Sequence, residues 1–409
     1  MTDAAAAVAP RDNGTFRSLR HRNVRVYLFG LLLSNVGTWL QFTATSLLIY
    51  RINNRATDAG LNTMFQFLPM LLLGAWAGGF ADRHDRRTVT IWTQSALAVQ
   101  AVLLAAADFG GFISLPVVYS LSLLLGIANA VDNPSRRGLV TELVQPEDIP
   151  NAMSLNTTVM TGSRIFGPAL AAALIGPLGT AWLFALNAVS YLAVLASLLL
   201  LRRDEMVPSP PAPRTGKPVR EALSFVWGDN HLRWSFVVFA VVSTFAFNYS
   251  VVLPKLCDVR WGEENGYPIL LTMTSIGSIF GALATARFTR ITVSWYGLLV
   301  GVCGLSCIAL AWSPTFLVAC AVCLPLGFGG TGLVASMTGI SQQKTSPEMR
   351  SRLLALQSVA FLGSTPIGGP ITGFIGDNVG IEWSLAYGGI IALAVLPLLR
   401  RAATPADGK

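Results

Sequence analysis

Apolar residues fill about a dozen long blocks of this chain, and almost every charge lies in the gaps between them. The blocks run over 26–50, 59–81, 88–108, 113–131, 155–175, 180–201, 234–254, 267–286, 295–312, 315–337, 353–375 and 382–400. A helix rising 1.5 Å per residue needs roughly 20 residues to cross about 30 Å of hydrocarbon. Backbone N–H and C=O groups cannot stay unpaired in lipid, so blocks this long predict helices. The pattern predicts an all-α membrane protein with twelve transmembrane helices.

The gaps alternate in charge. Of 29 Lys and Arg residues, only Arg51, Arg55, Lys255 and Arg260 fall in one set of gaps, and only Arg164 lies in the interior of a block, Arg400 closing the last one and counting with the tail. The rest occupy the other set and the two ends, which predicts that both termini are cytoplasmic. The net charge of +8 therefore reads as a topology signal and does not imply nucleic acid, since no basic face interleaved with aromatics exists. Residues 1–25 read as a cytoplasmic leader, because they carry five Arg and no apolar core or cleavage site. Trp182, Trp312 and Trp383 fall at the predicted outer interface, and Trp234 and Trp295 at the inner one.

Other chemistry is sparse. Cys303, Cys307, Cys320 and Cys323 lie inside blocks and Cys257 lies beyond one, while His21, His84 and His231 fall in cytoplasmic segments. The cysteines read as small helix-packing residues, so no metal site and no cofactor is expected. No phosphate-binding loop ending in Lys-Ser/Thr is present, so no built-in ATP motor is expected.

A polar stretch, 202–233, divides the chain into six blocks on each side. It combines a stiff Pro-rich linker with an amphipathic segment, Val219 to Trp227, suited to the membrane surface. The domains expected are 26–201 and 234–400, with a tail at 401–409. Shifting 126–183 by 201 positions pairs Gly126 with Gly327, Pro146 with Pro347, Gly162 with Gly363, Gly167 with Gly368 and Trp182 with Trp383. Duplication explains these matches and implies two six-helix bundles about a pseudo-two-fold axis, with a binding site between them near the midplane.

Between the second and third blocks runs Gly78-Gly79-Phe80-Ala81-Asp82-Arg83-His84-Asp85-Arg86-Arg87. Gly78 is expected to permit close helix approach, and Asp82 to pair with Arg or cap a helix end. Arg83, Arg86 and Arg87 are expected to reach headgroups or the carbonyl ends of facing helices. This loop resembles the signature of the major facilitator superfamily, with Asp85 where Gly is usual. Further likeness lies in Asn35-Val36-Gly37-Thr38-Trp39-Leu40-Gln41, Asn133-Pro134-Ser135-Arg136-Arg137, Glu142-Leu143-Val144 and Arg164-Ile165-Phe166-Gly167-Pro168. Together these resemble the enterobactin-exporter and macrolide-efflux branch, the transmembrane secretion effectors. The second-half loop, Gly281 to Arg290, keeps Arg287 and Arg290 but has Thr285 in place of the acid. Ser122 stands where that superfamily's proton-antiport pattern has Arg.

Arg164 is the one charge deep in a block, and an intramembrane ionisable residue marks a functional site by default. With Thr157, Thr161 and Pro168 it forms a helical stripe expected to face the cavity and attract an anionic group; the alternative is bonding to carbonyls, Asp132 or Glu142. Ser34, Asn35, Thr38, Gln41 and Thr45 share a face of the first helix. Asn35, Thr38 and Gln41 are candidate substrate contacts, with Asn248 as their second-half counterpart, or else interhelical glue. Gly167-Pro168 and Gly368-Gly369-Pro370 are expected to bend their helices. No acid is expected at the depth of Arg164. Asp82, Asp132 and Glu142 are placed at the cytoplasmic rim as candidate proton carriers.

The resemblance implies a monomeric secondary transporter of the bacterial inner membrane, not an enzyme. It implies export of a small amphipathic molecule, a drug or siderophore, driven by protons through alternating access. An uptake carrier or uniporter, a non-transporting receptor or scaffold, and a membrane-embedded enzyme are the alternatives.

Overall fold

The computed structural model describes residues 14–81, 83–207, 218–343 and 345–403, and the regular structure among them is helical. The first half contains α1 (Arg22–Asn53), α2 (Ala56–Ala81), α3 (Arg86–Phe109), α4 (Leu115–Glu142) and α5 (Ile149–Leu199). A short α6 (Pro218–Gly228) follows. The second half contains α7 (Asn230–Phe245), α8 (Tyr249–Trp261), α9 (Tyr267–Ala286), α10 (Val293–Ala311), α11 (Phe316–Gln343), α12 (Pro347–Leu362), α13 (Thr365–Asn378), α14 (Trp383–Ala394) and α15 (Leu398–Ala403). Among the described residues eight segments are long and apolar enough to cross a bilayer, so the protein is an integral membrane protein.

The 51 residues of α5 cover two antiparallel passes, because Gly179 takes φ 76°, a backbone conformation only glycine adopts freely. Gly167 packs on residues 36–40 of α1, and Gly37 packs back on Asn187. Positions on either side of Gly179 thus meet the same stretch of α1, and the chain doubles back. Helix starts follow local chemistry. Asp85 accepts from Thr88 N (2.6 Å) to cap α3, and Asp229 accepts from Leu232 N (2.9 Å) to cap α7. Asp85 therefore has a reason to replace the glycine usual in this loop.

Several expectations change here. The fourth block was bounded at 131, but α4 runs unbroken to Glu142 and takes in Asn133–Arg137. A bend is expected at Gly368–Pro370. That stretch lies within α13, and the chain breaks before it, at Gly363–Ser364. Gly368 serves close approach, since a Cβ there would overlap Thr244 O. Gly167 and Pro168 likewise lie in continuous helix, with Gly167 pressed on α1.

The duplication has a physical counterpart. A Cβ on Gly126 of α4 would collide with Gln66 O of α2, and one on Gly327 of α11 would collide with Thr274 O of α9. The same helix pair in each half touches through the same glycine.

Two apolar cores show how the halves meet. One includes Leu40, Leu47, Ile49 and Leu183 of the first half with Leu253, Leu256, Tyr267 and Leu271 of the second, so it is continuous across both. The other, with Val24, Leu28, Leu139, Val140 and Leu201, holds residues of the first half only. The first-half members of the shared core, at 40–59, 104–118 and 171–184, lie away from the face formed by residues 14–25, 83–87 and 200–207, the basic face. There Arg87 donates to Leu198 O (2.7 Å) and Leu199 O (3.1 Å), and Arg22 to Leu200 O (2.9 Å). These cations satisfy the carbonyl end of α5.

Candidate functional site

The halves are sealed at the face opposite the basic one. Asp377, at the end of α13, accepts from the backbone N–H groups of Ala56 (2.9 Å) and Thr57 (2.8 Å), the first residues of α2. It also takes the Thr57 hydroxyl (2.5 Å) and Lys255 Nζ (2.6 Å). A carboxylate from one half thereby satisfies the orphan donors of a helix in the other, where the helix dipole also favours it. Beside it Tyr50 donates to Asp258 (2.5 Å) and Arg51 to Asn265 (2.8 Å). Glycines bring the backbones together: a Cβ on Gly373 would stand 2.5 Å from Ala56 O, and one on Gly369 3.2 Å from Gly60 O. Among the described residues, every hydrogen bond and ion pair between the halves lies at this seal.

Toward the basic face the walls part. Cβ atoms added to Gly74 or Gly78 of α2 would meet nothing within 4 Å. The close approach expected at Gly78 is therefore not made in this conformation; it is made at Gly60, at the other end of the same helix. Arg83 is exposed, and Arg86 pairs with Glu142 (3.1 Å). Asp82 lies outside the described residues.

Arg164 stands fifteen residues from both the start of α5 and Gly179, about 22 Å from each along the helix. It is reachable by solvent, as are Thr157 and Thr158 nearer the basic face. Its guanidinium lies over the Trp39 ring, 5.1 Å from the centroid, and within electrostatic reach of Tyr249, the first residue of α8. Among the described residues it makes no hydrogen bond and no ion pair, so the carbonyl, Asp132 and Glu142 alternatives are not realised.

The polar face of α1 is placed differently from the expectation. Gln41 is 4% exposed; it donates to Gln100 of α3 (3.0 Å) and accepts from Asn187 of α5 (2.7 Å). Thr38 bonds Ser34 O (2.9 Å) and the Tyr191 hydroxyl (3.3 Å). Asn35 is buried and accepts from Arg136 (3.3 Å). All three lie inside the first bundle and join its helices, because α1 turns this face toward α3, α4 and α5. Asn248 is also buried; it donates to Thr244 O (2.7 Å) where α7 gives way to α8, against Gly368.

Asp132, expected at the cytoplasmic rim, is enclosed by protein. Asp132 is 0% exposed and ten residues inside the end of α4. It accepts from Thr93 (2.7 Å) and Gln94 (2.9 Å), and its second oxygen lies 2.7 Å from Arg136 Nε. Burying two charges is tolerable only when they are paired, although Asp132 Oδ2, close as it is to Arg136, makes no hydrogen bond. Tyr27 Oη, Asn35 Nδ2 and Gln94 Oε1 around the pair are buried without a hydrogen-bond partner. The i, i+4 spacing of Asp132 and Arg136 was visible in sequence, whereas Asp377, Lys255 and Tyr249 carried no local signal.

Among the described residues the two halves are bonded at one face, and Arg164 stands midway along the first pass of α5. Residues 13–408 match the transmembrane secretion effector family, and the chain belongs to that branch of the major facilitator superfamily. It is similar to the staphyloferrin A transporter of Staphylococcus aureus, 24% identical over 258 residues. That match covers 62% of this chain and 64% of the relative, so it spans less than two thirds of the relative's length. Macrolide efflux protein A of Streptococcus pyogenes is 22% identical over 348 residues, covering 80% of this chain and 83% of that protein. In fold alone, the chain resembles a bacterial homologue of the human lysosomal transporter Spinster in an inward-facing, unoccupied conformation. The TM-score is 0.70 at 16% identity, covering 93% of this chain and 96% of the other.

Proposed function

We propose that the protein is a twelve-helix secondary active transporter of the bacterial cytoplasmic membrane. It exports a small amphipathic molecule by alternating access between bundles 26–201 and 234–400. The twelve crossings follow if α1, α2 and the broken pair α12–α13 join the eight long apolar segments, with 149–199 counted as two passes. The charge bias supports placing both termini and the basic face in the cytoplasm, so the conformation described is the inward-open one. The efflux role in the name of one relative supports the outward direction.

One observation carries the reading: among the described residues the hydrogen bonds and ion pairs between the halves lie at one face, while glycines at the other end of α2 face open space. A carrier must exchange which end is closed. Gly78 and the Arg83–Arg87 loop then form the second closure, with Asp82 in the gating part the family resemblance implies. Arg164 is the substrate contact on the cleft wall. Asn35, Thr38, Gln41 and Asn248 act by holding that wall, and not by touching substrate.

Proton coupling runs through the buried Asp132–Arg136 pair in this reading. The unpartnered polar atoms around it are the observation that supports it, because a proton or water has groups to engage there. Glu142 is held by Arg86 and serves as structure.

Spin labels test the exchange without any substrate being known. Labels at Arg83 and Arg350 report the basic face, and labels at Ile52 and Val379 report the seal. The two distances should change in opposite senses as conditions vary. Distances that stay fixed, or lengthen together, would refute alternating access.

A further inference from the structure

We infer that the cleft selects amphipathic organic anions, bound through a carboxylate or similar planar oxyanion on Arg164, and rejects cations of the same size and shape. The inference rests on the transport reading above and adds the class of substrate.

Three observations converge. The first is the way Arg164 is held. A guanidinium carries its five N–H donors in the plane of the group, and its faces are the weakly hydrated part. The Arg164 guanidinium lies over the Trp39 ring, 5.1 Å from its centroid, a cation–π contact that uses up no hydrogen-bond donor. No described residue uses the guanidinium's N–H fork. A charge kept this deep without a partner is costly, and the cost is offset when a ligand supplies the counter-charge.

The second is the charge balance of the embedded interior. Asp132 is sealed inside the first bundle and already paired with Arg136. Asp377 and Asp258 are engaged at the sealed face. Among the described residues, the solvent-reachable wall at mid-depth therefore presents one uncompensated positive charge. A cation entering would meet repulsion and no acid in exchange.

The third is the chemistry beside the fork. Trp39 and Phe42 pack edge to face, 5.3 Å apart, and offer an apolar patch next to the charge on the same wall. Tyr249, in the opposite bundle, brings a hydroxyl within electrostatic reach of Arg164. An oxyanion seated on Arg164 would lie in the field of this hydroxyl from the other half. Its apolar remainder lies along Trp39 and Phe42. A purely polar anion would forfeit that contact, and a purely apolar molecule would leave the guanidinium bare.

The test uses the full chain in lipid nanodiscs with two probes that share a fluorophore, dansylglycine as the anion and dansylcadaverine as the cation. Energy transfer from tryptophan to dansyl reports saturable binding. Dansylglycine should saturate, and dansylcadaverine should neither saturate nor displace it. Arg164→Gln should weaken dansylglycine about tenfold or more, a change of about 1.4 kcal/mol. Arg164→Lys, which keeps charge but not the fork, should fall between. Melting each variant confirms that it folds, and Trp39→Phe, which leaves Arg164 in place, should weaken binding less than Arg164→Gln. Equal binding of the two probes, indifference of dansylglycine to Arg164→Gln, or absence of saturable binding would each overturn the proposal. Because the spin-label distances need no ligand, transport by alternating access can survive that outcome.

Discussion

Asp132 and Arg136 of the first bundle stand, by the 201-residue offset, where the second bundle has Leu333 and Met337. Asp132, Leu333 and Met337 are all 0% exposed, so the contrast is one of chemistry in similarly buried places. Arg164 likewise corresponds to Thr365, and the seal carboxylate Asp377 corresponds to Gly176. Meanwhile the close glycine contacts, Gly126 on Gln66 and Gly327 on Thr274, are the same in both. Packing of this fold therefore needs the glycines and does not need the charges. The second bundle builds the same helix pair with an apolar core. Buried ion pairs are seldom more stabilising than well-packed hydrophobes, so the first bundle's pair must be explained by what it does.

That contrast can be broken directly. Asp132→Leu alone leaves Arg136 buried without a partner, and should destabilise the fold by about 3–5 kcal/mol. Adding Arg136→Met copies the second bundle and should recover most of that loss in thermal melts. If the pair couples transport to protons, the double variant will fold and yet lose proton-driven flux in proteoliposomes. A double variant that still couples flux to a pH gradient would make the pair structural after all.

The apolar blocks and their flanking charges were enough to read an all-helical membrane protein, since span length and the lipid's intolerance of bare backbone act locally. Depth was less legible. The block ending at residue 131 looked like a span end because Asp132, Asn133, Arg136 and Arg137 follow it. Yet α4 continues, because Thr93, Gln94 and Asn35 supply partners from helices far away in sequence. Glycines were ambiguous for another reason. Bending and close packing call for the same residue, and only the facing carbonyl, such as Thr244 O against Gly368, tells them apart. Arg164 could be singled out from sequence; its stacking on Trp39 could not. Nor could Asp377, whose partners are backbone donors some 320 residues earlier.

The two bundles also divide the labour at the seal. The second contributes the carboxylate and the first contributes a helix end. Asp377→Ala removes charge-assisted bonds worth about 1.5–3 kcal/mol each, partly replaced by water once the seal loosens. The closed seal should weaken by about 2 kcal/mol, roughly thirtyfold in population, seen as a longer Ile52–Val379 label distance. Gly60→Val should act in the same direction, because a side chain there overlaps Gly369 O. Gly78→Val should leave this conformation untouched and oppose the other one. Equal effects of the two glycine variants would mean that the ends of α2 do not alternate.

The smallest effect tests whether the first bundle's charges also matter outside the membrane. Asp148, between α4 and α5, corresponds by the same offset to Met349. The His21 ring bonds its carboxyl (3.1 Å) and Arg17 pairs with it (2.8 Å). These contacts hold the Asp148 pKa below its ordinary value, the His21 bond contributing most. A lowered folded pKa means the ionised form is favoured by folding. Its stabilisation is thus complete above the unfolded value of about 3.9 and is lost as pH falls through the lower folded value. Both side chains are partly exposed, so solvent screening limits the contribution to about 0.5 kcal/mol. Hydrogen-exchange protection of the Ser18 amide, which donates to Asn151 (3.0 Å), should therefore fall in acid, after correction for intrinsic rates. Asp148→Asn should reproduce that loss at neutral pH and remove the acid dependence, leaving the spin-label distances across the cleft unchanged. If the variant retains the acid dependence, residues 17–21 are anchored by packing, and charge in the first bundle matters only within the membrane.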